Sequence, residues 1–299
     1  MAADADDRTL RKSKWTPYLL AAPALICIYL FFLVPLVTLL KISLSESGKR
    51  GSSRVDFAWD WGNYSKAFTD FGEHLTRALA YAAITTVVCI LLAYPLAYFI
   101  AFKAGRWRNL LLGLVMVPFF TSFLLRTIAW QSLFSDNGPV LDLADTLHLI
   151  GLLDTLQITT DGKILNTPTA VIGGLVYNFL PFALLPIYVS LEKIPRSLFD
   201  AASDLYSPFA STFRRVVFPM SLPGVFAGTL LTFIPASGDF INQHLLGDVN
   251  KPVIGGVIQA RFLQAGDYPA AAAISIVLMV IITAVVLVYA RTLGTDDLV

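Results

Sequence analysis

Six long, mostly apolar segments constrain this 299-residue chain more than any other feature. A helix needs about 20 predominantly apolar residues to cross the hydrocarbon core of a bilayer, and each segment reaches that length. Prolines inside several segments are compatible with kinked helices in a bundle, where neighbouring groups satisfy the freed carbonyls. We predict membrane-spanning helices at about Pro17–Leu40, Leu75–Phe102, Leu110–Phe134, Thr169–Leu191, Leu222–Leu246 and Pro269–Tyr289.

The composition supports an all-α integral membrane protein. Hydrophobic residues make up 56% of the chain and charged residues only 14%, whereas soluble domains carry about 25% charged residues. The net charge of +1 gives no bulk electrostatic reason to expect nucleic-acid binding. The first apolar run is too long for the h-region of a signal peptide, so we predict a retained first span. Cys27 and Cys89 both lie in apolar runs and are interpreted as small core residues.

The distribution of basic residues predicts the orientation in the membrane. Short loops on the cytoplasmic side carry an excess of Lys and Arg. The N-terminal segment, the loop after the second span and the loop after the fourth span are all basic, although the first opposite loop weakens the contrast. We therefore predict a cytoplasmic N-terminal segment (1–16), a six-span domain (17–291) with a cytoplasmic loop (192–224), and a cytoplasmic tail (292–299).

The sequence shows no catalytic or metal-binding pattern. His74, His148 and His244 are scattered without metal-ligand spacing. The chain has no P-loop and no Gly-x-Ser-x-Gly nucleophile elbow. We predict that the chain is not an enzyme, that it has no catalytic residue and no metal site, and that it binds no cofactor of its own.

The segment Asp200–Gly224 stands out among the loops because it has helical periodicity. Phe209, Phe213, Val216 and Val217 occupy positions i, i+4, i+7 and i+8, which form one face of a helix. Arg214 and Arg215 adjoin that face. Such a helix at the membrane surface is expected to pack either on the membrane or on a soluble partner.

The same segment resembles the EAA loop of type I ABC importer permeases. Asp200-Ala201-Ala202 stands at the Glu-Ala-Ala position, Tyr206 at the glycine position, and Pro219 at the proline that ends the pattern. The resemblance implies two short helices that dock into a groove on a separate ATPase subunit, which binds ATP and Mg. The residues implied in this coupling are Asp200, Ala201, Ala202, Tyr206, Ser207, Phe209, Phe213 and Arg214.

Two departures from the family pattern affect this loop. Asp200 in place of Glu keeps the carboxylate but shortens its reach by one methylene. Tyr206 in place of Gly matters more, because glycine permits a positive φ at a tight turn and tyrosine there would be strained. We therefore expect a different turn, with Ser207 as the helix N-cap and Pro208 at the first helical position.

The resemblance extends to three further stretches, 117–134, 167–195 and 233–247. They are similar to permeases of the spermidine/putrescine importer group, and specifically to the first of its two permease subunits. The resemblance implies a bacterial inner-membrane location, a second permease subunit, ATPase subunits and an extracytoplasmic substrate-binding protein. It implies a polyamine as substrate, with an organic amine, an opine-like compound or a sugar as the alternative. A self-sufficient channel or ion-coupled carrier is an alternative function, but it does not account for the helical periodicity of the cytoplasmic loop.

Two ionisable residues fall at or near predicted membrane depth, Arg126 and Asp239. Intramembrane charges usually face an aqueous cavity or a partner charge. Both residues are candidates for lining a transport path, where Asp239 would meet a substrate ammonium; alternatively, they pair with each other or stabilise helix ends. Aromatic and amide side chains nearby are further candidates, through cation–π contacts or polar lining: Tyr177, Phe240, Gln131 and Asn178.

Overall fold

A computed structural model describes residues 16–47, 55–147, 151, 154, 159 and 162–292. The predicted terminal segments therefore lie almost entirely outside the described residues. The α-helices are Thr16–Ile28, Val34–Ser43, Gly62–Thr69, Gly72–Phe102, Arg108–Met116, Phe123–Leu133, Pro139–Thr146, Pro168–Glu192, Arg196–Asp204, Phe209–Thr212, Phe218–Gly238, Ile241–Leu246, Ile254–Gln259 and Tyr268–Thr292. Turns of 3₁₀ helix lie at Gly105–Trp107 and Val117–Phe120, and π-helical turns lie at Tyr29–Leu33, Phe213–Val217 and Ala260–Gln264. Two short strands, Ser45–Ser47 and Val55–Phe57, pair antiparallel, with Ser45 opposite Phe57.

Within these described ranges, five helices are long and apolar enough to cross a membrane. A sixth span exists if the bent pair Gly105–Phe120 and Phe123–Leu133 is counted as one. The bent pair is called the third span below. The first, second, fourth, fifth and sixth spans are Leu20–Ser43, Gly72–Phe102, Pro168–Glu192, Phe209–Gly238 and Tyr268–Thr292.

The third span, predicted at Leu110–Phe134 with a proline compatible with a kink, is bent sharply, and its two halves meet at 93°. The backbone around Pro118 forms a 3₁₀ turn, and Thr121 then becomes extended, with φ −88° and ψ 151°. The Thr121 hydroxyl donates to the Pro118 carbonyl at 2.5 Å, and the Thr121 N–H donates to the same oxygen at 3.2 Å. The bend therefore follows from proline and a local side-chain hydrogen bond.

The fifth span also differs from the prediction of Leu222–Leu246. The helix begins earlier, at Phe209, and ends earlier, at Gly238. Pro219 ends the loop pattern in the sequence, but the helix runs through both Pro219 and Pro223. In the preceding π-helical turn, the Phe218 N–H donates to the carbonyl of Phe213, five residues back. Such a turn changes the hydrogen-bond register, and the helix continues into the proline-containing stretch.

The second, fourth and fifth spans form the centre of the bundle. Ala82, Cys89, Ala93 and Ala97 of the second span are fully buried, as expected where small residues let helix backbones approach closely. At Gly224 of the fifth span, a Cβ would lie 2.5 Å from the Pro186 carbonyl oxygen, so the close approach requires glycine.

The first span stands apart from this centre. None of the residues in its most hydropathic window is buried, and it packs mainly along the sixth span. Cys27 is an exposed thiol on this helix, whereas Cys89 is a buried one. The interpretation of Cys27 as a core residue is therefore wrong, because the helix that carries it lies at the periphery.

Candidate coupling loop and transport path

The turn at Tyr206 retains the left-handed conformation that the tyrosine was expected to exclude. Tyr206 has φ +51°. Its N–H donates to the Ser203 carbonyl and the Ser207 N–H to the Ala202 carbonyl, each at 2.9 Å. These two bonds are the pair that defines a Schellman motif, which ends a helix by satisfying its last carbonyls. The expected alternative turn is wrong, since the chain keeps the motif and accepts the strained residue.

The next helix begins one residue later than predicted. Pro208 is the N-cap and Phe209 the first helical residue, whereas Ser207 was predicted to cap. The Ser207 hydroxyl accepts a hydrogen bond from the Thr212 hydroxyl at 3.3 Å. Asp200 is the fifth residue of the helix Arg196–Asp204 and does not open it. Asp200 and Ala201 are exposed, and Ala202 is partly buried.

Three apolar side chains around this turn face solvent. Leu205 is 80% exposed, Tyr206 96% and Phe209 67%. We call these three residues the coupling tip. The Phe199 ring, one turn earlier, packs against Phe102 of the second span with centroids 5.0 Å apart, so the helix that leads to the tip is fixed to the bundle.

The second half of the predicted docking face lies inside the chain. The Phe213 ring contacts Tyr94 and Tyr98 of the second span, with centroids 5.8 and 6.2 Å apart. Val217 is fully buried. Aromatic residues of the second span therefore cover part of the predicted docking face, and Phe213 is left partly exposed. Arg214, in contrast, is exposed beside that face; its predicted coupling role and that of Phe213 stay predictions.

At the other end of the fifth span, Asp239 forms a break between two helices. Its backbone is extended, and its Oδ1 accepts hydrogen bonds from the Asn242 backbone N–H at 2.8 Å and the Asn242 side-chain amide at 3.2 Å. This is the arrangement by which a carboxylate caps the next helix, Ile241–Leu246. Among the described residues, Asp239 forms no ion pair with Arg126, which removes one of the two structural alternatives.

A buried polar cluster joins this helix to two spans. Asn178 of the fourth span donates to the Thr127 hydroxyl and to Asn242 Oδ1, both at 3.3 Å. All three side chains are buried, and Asn178 is 1% exposed. Gly174 makes room for the contact, since a Cβ there would lie 2.7 Å from Asn242 Oδ1. Asn178 thus joins helices in this conformation, and its path-lining role stays a prediction.

Sequence reasoning missed Thr127 and Asn242, although a signal was present. Both are polar residues in largely apolar segments, and such residues hydrogen-bond across helices in membrane proteins. Their spacing alone did not show that they meet each other. The contact depends on the break at Asp239, which turns Asn242 back toward the fourth span.

The remaining predicted path residues lie along the third span and the facing part of the fourth. The Arg126 guanidinium lies 4.5 Å from the Phe119 ring centroid, and its Nε and Nη1 have no hydrogen-bond partner. The Tyr177 ring packs edge-on against Trp130 at 5.2 Å. Gln131 is partly buried on the same helix as Arg126. Among the described residues, no hydrogen bond or ion pair joins Arg126, Gln131 and Asp239 to one another.

A cavity of about 570 Å³ opens beyond the fifth span, next to the helix Ile241–Leu246. Gln243 is 6% exposed, and its amide nitrogen donates to the carbonyls of Asp248 and Lys251. Its Oε1 is buried and has no hydrogen-bond partner. The side chains of the wall include Phe240, Gln243, His244, Asp248, Gln259 and Arg261.

Comparison with known proteins identifies the family. Residues 90–293 match the family described as "Binding-protein-dependent transport system inner membrane component". The chain belongs to this family. It is 37% identical over 264 residues to the spermidine/putrescine transport system permease protein PotB of Escherichia coli K12, covering 88% of this chain and 93% of that protein. The corresponding protein of Haemophilus influenzae is 34% identical over 269 residues, covering 90% and 91%.

Other relatives and solved structures agree on the architecture. An inner membrane ABC transporter permease protein, YdcU of Escherichia coli K12, is 32% identical over 228 residues, covering 75% of this chain and 72% of that protein. A bacterial alginate ABC transporter in complex with its periplasmic protein gives a TM-score of 0.69 at 16% identity, with 95% of both chains covered. The MetNI methionine ABC transporter gives 0.54 at 14% identity, covering 73% and 92%.

These similarities confirm the predicted fold class and family. The chain is a multi-pass inner-membrane permease of the type I ABC importer fold, and it is a transport subunit and not an enzyme.

Proposed function

We propose that this chain is one of two permease subunits of an ATP-driven importer for polyamines, which moves substrate from an extracytoplasmic binding protein to the cytoplasm by alternating access. The observation that carries the proposal is similarity along nearly the full length of relatives named for spermidine and putrescine transport. The family match over residues 90–293 includes both the coupling tip and the Asp239 break. ATP and Mg would bind the partner ATPase.

The coupling tip supports an ATPase partner. It occupies the same end of the bundle as the basic loop residues Arg106, Lys193 and Arg214, which the positive-inside rule assigns to the cytoplasm. The fifth span has 30 residues, which corresponds to about 45 Å of helix, whereas the hydrocarbon core is about 30 Å thick. The helix is therefore long enough to hold the tip beyond the hydrocarbon, where a soluble subunit can reach it.

The opposite end supports passage of a cation. The cavity wall carries the Asp248 carboxylate and the Phe240 ring, and carboxylates and aromatic faces stabilise an ammonium group. Arg261 lies on the same wall, and its guanidinium is 3.4 Å from the Asp267 carboxylate, which offsets its charge. We propose that Phe240 and Asp239 lie on the path. Arg126 would repel a polyamine, so we place it beside the path and not at a substrate contact.

Reconstitution tests the proposal directly. The complex of this chain with its partner permease and ATPase is placed in liposomes with the binding protein, and ATP hydrolysis and uptake are measured with spermidine, putrescine, an amino acid and a sugar. We expect stimulation and ATP-dependent uptake with the polyamines only. Stimulation by another solute alone would replace the substrate assignment, and uptake without the ATPase would favour an ion-coupled carrier.

A further inference from the structure

Three exposed aromatic side chains lie directly beyond the end of the first span. Phe57 is 43% exposed, Trp59 62% and Trp61 64%. The Phe57 and Trp59 rings pack edge-on with centroids 5.0 Å apart, and Trp61 immediately precedes the helix Gly62–Thr69. We call these three residues the aromatic cluster. Large apolar side chains that are exposed together mark an interaction surface.

Backbone hydrogen bonds fix the cluster at the level where the first span ends. The helix of that span ends at Ser43, and Ser45 then pairs with Phe57 in the antiparallel ladder. The Asp60 N–H donates to the Leu44 carbonyl at 2.9 Å. The two tryptophans flank Asp60 in the sequence, so their backbone lies beside the end of the span.

The helix Gly62–Thr69 holds this arrangement in place. The buried Asn63 amide donates to the carbonyls of Ser43 and Ser45 at 3.2 and 2.9 Å, and the Tyr64 hydroxyl lies 2.6 Å from the Ser43 hydroxyl. Ala67 is buried in a core cluster that includes residues of the sixth span. These contacts occupy the inner side of the helix and leave the aromatic cluster exposed.

The first span has few packing contacts that could set its depth. None of the residues in its most hydropathic window is buried. Its 24 residues correspond to about 36 Å of helix, against a hydrocarbon core of about 30 Å, so its end reaches the headgroup region. The tilt and depth of a membrane helix are set by packing and by interfacial Trp, Tyr, Lys and Arg, and Trp is enriched at that level.

We propose that the aromatic cluster inserts into the phospholipid headgroup region and fixes the depth and tilt of the first span. In the predicted orientation this is the outer leaflet. The inference rests on the membrane location of the chain and not on the proposed substrate. A soluble protein partner is less compatible with the structure, because the cluster is hydrogen-bonded to the last residues of a span that places it at the membrane surface.

Fluorescence in liposomes tests the location of the two tryptophans. Trp15, Trp107 and Trp130 are replaced by Phe in the full chain, so that only Trp59 and Trp61 emit. We expect weak quenching by acrylamide in the water. Lipids brominated near the glycerol end of the acyl chains should quench more strongly than lipids brominated near the methyl end. Strong quenching by acrylamide with none by brominated lipid would place the cluster in water, as for a contact with a binding protein, and would overturn the proposal.

The exposed thiol of Cys27 reports the depth of the first span. It lies about 24 Å along the helix from Ser43, near the opposite membrane surface. In a Cys89→Ala background, Trp59→Ser combined with Trp61→Ser should let the span shift toward that surface. Because mismatch costs a fraction of a kcal/mol per Å, we expect alkylation of Cys27 by a water-soluble maleimide to accelerate by at least about twofold.

Two further variants separate the anchor from a general disturbance. Trp59→Tyr combined with Trp61→Tyr keeps interfacial aromatic side chains and should retain the wild-type alkylation rate. Val249→Ser removes an apolar side chain that is 81% exposed in another loop and should also leave the rate unchanged. A rate in the double serine variant that is unchanged or slower would overturn the anchor. Acceleration in the tyrosine variant as large as in the serine variant would do the same.

Discussion

At the scale of single residues, Asp239 has an observed role and a proposed role that substitution can separate. Its carboxylate caps the helix Ile241–Leu246 through Asn242, and we propose that its charge meets a cation on the path. The type of residue and its approximate depth were predictable from the sequence. The capping role was not, because the predicted fifth span ran straight through residue 239.

Asp239→Asn removes the charge and keeps an oxygen that can accept the Asn242 N–H. We expect spermidine uptake to fall while assembly and basal ATP hydrolysis of the complex stay near wild-type values. Asp239→Ala also removes the cap and should lower the stability of the complex by about 1 kcal/mol. Uptake at the wild-type rate in Asp239→Asn would remove this residue from the path.

The buried amide of Asn178 leads to a stability prediction. Asn178→Leu keeps the branched shape and the number of side-chain heavy atoms but removes the donor to both Thr127 and Asn242. Interhelical hydrogen bonds in membrane proteins contribute about 0.6 kcal/mol on average and up to about 1.7. We expect a stability loss in that range, measured by thermal or denaturant unfolding in detergent. Asn250→Ala, at an exposed position, serves as control, and equal stability of the two variants would contradict the proposed role of the cluster.

At the scale of elements, the fifth span shows where sequence periodicity reaches its limit. The apolar face from Phe209 to Val217 was recognised correctly as a helical face. Periodicity cannot say what covers a face, and here the second span supplies Tyr94 and Tyr98 from more than 100 residues away in the chain. Periodicity also does not show that the helix continues through Pro219 and Pro223, which follow the π-helical turn.

Phe209 and Phe213 should therefore respond differently to truncation. Phe213→Ala removes a half-buried ring from an aromatic cluster and should destabilise the bundle by about 1–3 kcal/mol. Phe209→Ala removes a mostly exposed ring, so it should change stability little and weaken ATPase binding. The measurements are thermal unfolding and co-purification with the ATPase. The reverse pattern would show that the Phe213 face opens to the partner.

At the scale of the whole molecule, six apolar segments, basic loops and family motifs were sufficient to predict the fold class. These signals are strong because lipid requires every backbone polar group to be satisfied inside a helix. The positions of breaks and bends were not predictable, because local hydrogen bonds such as that of Thr121 decide them. The exposure of Cys27 was also missed, since hydropathy does not distinguish a lipid-facing helix from a central one.

The orientation of the molecule remains a prediction with a direct test. Single cysteines replace Ala210 and Val249, both exposed, in a background without Cys27 and Cys89. An impermeant thiol reagent applied to intact spheroplasts should label position 249, and position 210 should react only after permeabilisation. Labelling of position 210 from outside would reverse the assigned topology.

The continuity of the helix from Phe209 to Gly238 has a mechanical consequence. A helix about 45 Å long that tilts by roughly 10° about one end displaces its other end by about 8 Å. The π-helical turn Phe213–Val217 near the tip interrupts the regular hydrogen-bond register of this helix. One residue inserted into this helix would rotate its two ends by about 100° relative to each other. In the proposed importer, a movement that the ATPase applies at the coupling tip would then reach the Asp239 break in a direction rotated by about the same angle. This would happen although every contact residue is intact.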